Sequence, residues 1–140
     1  MLSAAAVLVC ALDLLSRPAG GFPPIVLIDT RPDDVSATAE AFVRHSPDAI
    51  YLITSTEAFR AAQAGDGEAL KKIASIIVHE RWHIRNGPDE RGAYEAQLAS
   101  LFGMGIDPSR ALVFQVRKAM MTVLAAQKRA ARPAATVARN

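Results

Sequence analysis

Ser75-Ile76-Ile77-Val78-His79-Glu80-Arg81-Trp82-His83-Ile84-Arg85-Asn86-Gly87-Pro88-Asp89-Glu90 is the stretch on which the reading of the whole chain turns. Residues four apart on a helix stack one above the other, so the imidazoles of His79 and His83 can reach a single ion. With about 100° of rotation per residue and His79 as origin, His83 falls at about 40°, Ile76 at about 60°, Glu80 at about 100° and Ile77 at about 160°. Both histidines and the glutamate therefore border or occupy the apolar face, while Lys71, Arg81 and Arg85 lie well around the other side. A carboxylate on a face destined for burial is costly unless it is paired or bound. The competing picture, a solvated helix with two unrelated histidines, leaves that glutamate without a reason.

Two histidines do not complete a catalytic metal site, which has three protein ligands and one open position. Asn86-Gly87 reads as a left-handed helix stop, and Pro88 suits the first turn of a second helix. That helix carries Asp89, Glu90 and Glu95. Measured from Glu90, Leu101, Tyr94 and Leu98 all lie within about 80°, so Glu90 shares the face that must pack inward. Asp89 points away, and Glu95, at about 140°, sits at the margin. Glu90 is the better third ligand, with Glu95 in reserve.

His79-Glu80-x-x-His83 followed by Glu90-x-x-Ala93-Tyr94 resembles the gluzincin class of zinc metallopeptidases, particularly its smallest members, the minigluzincins. The resemblance covers about residues 50 to 102, and its specific part is the HExxH pattern. It implies Zn2+ as cofactor, His79 and His83 as ligands, Glu80 as general base, and a glutamate of the next helix as third ligand. The implied activity is peptide-bond hydrolysis on a peptide or protein substrate, by an endopeptidase rather than an exopeptidase. Such a substrate would be held by strand addition to a sheet edge beside the metal helix, expected here at residues 50–54. Tyr94, Tyr51 or an arginine could stabilise the transition state, and spacing does not choose among them. The alternative is a non-proteolytic zinc-binding module with a structural or regulatory metal, its coordination closed by Glu90 and Glu95 together.

The rest of the chain bounds these expectations. A length of 140 residues with 51% apolar side chains suits one domain with a modest core. A net charge of only +2 gives no reason to expect a nucleic-acid partner. The single Cys10 excludes an intrachain disulfide and a cysteine zinc cluster, and is expected as core filler. Residues 2–15 form an apolar run too short for a bilayer and interrupted by Asp13. Without a basic leader or a small-residue cleavage site, it reads as a buried helix ending at Ser16-Arg17-Pro18. Cytoplasmic placement is therefore favoured over export, a remnant export signal being the alternative.

Pro24 to Thr30 reads as a strand, and residues 40–44 and 50–54 as a hairpin around Ser46-Pro47-Asp48-Ala49. Residues 35–44 could instead form a short helix, since Ala and Glu favour one. Asp29 and His45 are expected to be solvated rather than part of a site. Ser55 is positioned to cap a short helix over residues 56–64, and Asp66 the metal helix from Gly67. The second site helix should run from Pro88 to Phe102. Asp107-Pro108 then opens a long helix to about Ala130, with Leu112, Val113, Val116, Met120, Val123 and Leu124 as its buried stripe. The domain is expected to span residues 1–130, leaving residues 131–140 as a disordered basic tail rather than a nucleic-acid arm. The sum is an α+β fold, a small antiparallel sheet packed with the two site helices and a long C-terminal helix.

Overall fold

Ser3 starts the first helix: its hydroxyl accepts from the Ala6 N–H at 3.1 Å, and α1 (Ala4–Asp13) follows, burying Val7 and Ala11 completely. The computed structural model describes residues 1–131, so the basic tail expected at residues 131–140 lies beyond the described residues except for Ala131. The N-terminal apolar run thus forms a helix that packs against the core through Val7 and Ala11. Among the described residues no helix is long and apolar enough to cross a membrane.

Three strands make the sheet: β1 (Ile25–Ile28), β2 (Ala41–Arg44) and β3 (Ala49–Ile53), in the order β1-β3-β2. The hairpin is present, with β2 antiparallel to β3, but β1 runs parallel to β3, so the sheet is mixed rather than antiparallel. The reason lies in β3, whose residues Ala49, Ile50, Leu52 and Ile53 are all buried. Such an apolar strand belongs in the centre. The hairpin occupies one flank and leaves the other for β1. This also corrects the expected substrate strand: residues 50–54 have both edges paired and no free backbone edge to offer.

The free edge nearest the helix that carries His79 and His83 belongs to β2. The Ile53 N–H donates to the Glu40 carbonyl at 3.1 Å, which makes Glu40 and Ile53 a hydrogen-bonded pair. Alternation along an antiparallel ladder then bonds Phe42 to Tyr51 and turns the N–H and C=O groups of Ala41 and Val43 outward.

Local capping sets most helix starts. Thr56, rather than the neighbouring Ser55, caps α2 (Glu57–Gln63), accepting from the Phe59 N–H at 3.2 Å. Asp66 caps α3 (Gly67–Asn86) through the N–H groups of Glu68 and Ala69. α4 (Glu90–Gly103) begins two residues later than Pro88, because the Asp89 carboxylate accepts from the Arg91 N–H and acts as its cap. α5 (Ala111–Ala130) starts after Arg110, which makes no side-chain cap. Asp107 is used earlier, accepting from the backbone and hydroxyl of Ser109 to close a turn.

The apolar side chains gather in two clusters. The larger joins α1, the sheet, α2 and the inner face of α3, with Ile50, Leu52, Phe59, Ile73 and Ile77 fully buried. The smaller joins α4 to α5 through Leu98, Leu101, Leu112, Val113 and Val116. The expected stripe on α5 is buried only in its first half; Met120, Val123 and Leu124 are half-buried. At about 1.5 Å per residue, α5 is several turns long and outruns the shorter α4 against which it packs. Its far half borders a cleft instead.

Candidate metal centre

His79 and His83 both leave α3 on the side facing α4, and Glu90 meets them from the first turn of α4. The Nε2 of His83 forms an ion pair with Glu90 Oε1, and the Nε2 of His79 lies 3.7 Å from the same oxygen. One ligand atom from each of the three residues lies within 4.8 Å of the others. Glu95, on the outer side of α4, is exposed and takes no part.

Hydrogen-bond polarity orients the rings. His83 Nδ1 lies 2.8 Å from the Gly87 carbonyl, and because a carbonyl only accepts, Nδ1 carries the proton. Nε2 is left to face Glu90. Gly87 serves twice, since its N–H also donates to the His83 carbonyl at 2.9 Å. Its φ of 88° and ψ of −159° lie in a region open essentially to glycine alone. On the other ring, His79 Nδ1 is 2.9 Å from Gln97 Oε1. The Tyr94 ring packs edge-on against His79 with centroids 4.5 Å apart.

The charges fit a cation. Burial pushes the Glu90 carboxyl up, but hydrogen bonds and charge from His79 and His83 outweigh it and hold the group at about 2. Burial pushes His83 down, and Glu90 with the Gly87 carbonyl more than reverses this, raising it. Glu80 is raised, chiefly because burial penalises its charge, with His79 and His83 opposing the shift. Burial together with the carboxylates of Glu90, Glu80 and Glu40 pushes Tyr94 up to about 12, so it stays a neutral phenol. Two imidazole nitrogens and one carboxylate oxygen, aimed at a common point, form a donor set suited to zinc or a similar divalent ion.

The chain matches no family model, no curated protein and no solved structure. The reading of the site therefore stands on its geometry.

The three candidate ligands line a cleft of about 960 Å³. One wall is residues 38–43, including the free edge of β2; another is α5, through Val116, Ala119 and Val123; Glu80 and Tyr94 line the floor beside the ligands. A Lys72–Glu40 ion pair at 3.2 Å borders it. Of the residues expected from sequence, His79, His83, Glu80 and Glu90 come together, whereas Tyr51 lies on the central strand stacked on Phe42. His45 and Asp29 are exposed, as expected; His45 faces Asp48 at 2.9 Å. Sequence reasoning missed Gln97. Its signal was present, because seven positions beyond Glu90 returns to within about 20° of the same helix face.

Proposed function

We propose that the chain is a zinc-dependent peptidase in which His79, His83 and Glu90 hold the ion and Glu80 is the general base. The observation that carries this reading is a cluster of three candidate ligands opening on a cleft, with the half-buried carboxylate of Glu80 lining that cleft outside the cluster. A fourth ligand would have favoured a structural metal, and the residue expected to supply it, Glu95, faces solvent.

When bound, zinc supplies Lewis acidity, polarising a scissile carbonyl and lowering the pKa of a water to roughly 7. Glu80 accepts that water's proton during attack and delivers it to the departing amine nitrogen. Its raised affinity for a proton suits it to both halves of the transfer. Tyr94, a neutral phenol that packs on His79 and lines the same cleft, would donate its O–H toward charge developing on the carbonyl oxygen. An extended substrate chain would pair with the outward N–H and C=O groups of Ala41 and Val43 on β2.

Metal analysis of the purified chain should find about one zinc per molecule, and a broad peptide library should be cleaved. Glu80→Gln should keep the metal while hydrolysis falls at least ~100-fold, the scale of general-base catalysis. A chain that binds zinc and cleaves no member of the library would instead support the non-proteolytic module.

A further inference from the structure

We infer that Gln97 is a positioning residue of the metal centre, fixing through a hydrogen-bonded chain from Lys72 and Ser75 which nitrogen of His79 is free for an ion. This rests on the metal-binding part of the reading above and not on peptide hydrolysis.

The polarity of the chain follows from its far end. The Lys72 carbonyl can only accept, so the Ser75 hydroxyl, 2.7 Å away, directs its proton there. Toward Gln97 that hydroxyl can then only accept, which requires the amide Nε2 to face it, at 3.3 Å. Gln97 Oε1 is thereby turned to His79, and because it too can only accept, Nδ1 at 2.9 Å carries the ring proton. The lone pair of His79 is left on Nε2, the atom facing Glu90. Ser75, Gln97 and His79 are 0%, 5% and 8% exposed, so water does not compete for these bonds.

A buried amide is an expensive way to fill a helix face on which Leu98 and Leu101 already pack. Its cost is offset only because every link of the chain is satisfied. The chemistry of the link also matters. A ligating imidazole is often backed by a carboxylate, which raises ligand basicity. Here an amide backs His79 and a backbone carbonyl backs His83, so both rings are oriented without added negative charge.

The full chain, stripped with a chelator, should be titrated with Zn2+ against a chromophoric competitor and with Co2+ as a spectroscopic reporter. Its thermal stability should be recorded in the chelator. Gln97→Leu should weaken Zn2+ binding about 10- to 100-fold, the usual effect of losing such a partner, without a matching loss of chelator-state stability. Ser75→Ala, which frees the amide to flip, should cause a smaller loss of the same sign. Gln97→Glu should bind Zn2+ at least as tightly as wild type and shift the Co2+ d–d bands. Wild-type affinity in Gln97→Leu together with an unchanged Co2+ spectrum in Gln97→Glu overturns the assignment. If Gln97→Leu fails to fold, the near-isosteric Gln97→Glu decides alone, an unchanged spectrum again overturning it. A wild-type chain that takes up neither ion refutes the metal centre itself, and this inference with it.

Discussion

Glu90 and Glu95 share a helix yet have opposite fates, and the difference is one of rotation about its axis. Glu90 faces two imidazoles and is held at about 2, whereas Glu95 is exposed. Glu90→Ala should therefore weaken zinc binding severely, by ~100-fold or more for loss of a direct ligand, while Glu95→Ala stays within about tenfold, the low end of outer-shell effects. Competition titration of both variants checks the pair, and equal losses would contradict the geometry. Gly87 offers a second test. An alanine there must adopt φ 88°, costing about 1–3 kcal/mol of strain, or else shift the carbonyl that orients His83. Gly87→Ala should lower both melting temperature and zinc affinity. At this scale much was legible in the sequence, because His79, Glu80, His83 and Glu90 are related by helical rotation alone. Rotation also puts Gln97 on the face of Glu90, but its link to Ser75 and His79 was not legible, since it depends on a contact between two helices.

Between elements, the approach of α3 to α4 decides whether Glu90 meets His79 and His83. Gly92 sits where the Trp82 ring crosses α4, and a Cβ at that position would collide with the ring. In an open helix, Gly to Ala gains about 1 kcal/mol. Here overpacking, about 1–3 kcal/mol, opposes that gain, and the bulky ring has to move. Gly92→Ala should thus separate the helices near Glu90 and weaken zinc binding even if the melting temperature moves little; an unchanged affinity would show that this spacing is not critical. The β2 edge supplies another expectation. Val43→Pro removes an outward N–H without touching a β2–β3 ladder bond, so it should raise KM for an extended peptide far more than it lowers stability. Steady-state kinetics beside thermal melts would reveal the reverse pattern if β2 is not where substrate lies. Element types and most boundaries were readable from caps and periodicity, as with Asp66 on α3. The parallel pairing of β1 with β3 was not, because a strand's neighbours are chosen by the whole sheet. The displaced start of α5 had a different cause: Asp107 found a nearer partner in Ser109.

Across the whole molecule, the candidate metal centre draws its residues from helices that build the two different apolar clusters. His79 and His83 belong to the helix whose inner face completes the larger cluster, and Glu90 to the helix that builds the smaller one, with Met104 touching both. The smaller cluster has few fully buried side chains and is closed by a helix that outruns its support. An ion shared between α3 and α4 would then act as a clasp between two units of unequal intrinsic stability. Amide hydrogen exchange would expose it: on chelation, protection should fall in α4 and α5 well before it falls in the sheet, α1 or the first turns of α3. Uniform loss of protection would mean that packing alone makes the halves cooperative. If the loss is staged, the availability of zinc governs more than chemistry at the cleft. It sets how often the C-terminal pair of helices opens, and with it how readily a protease can cut the chain there.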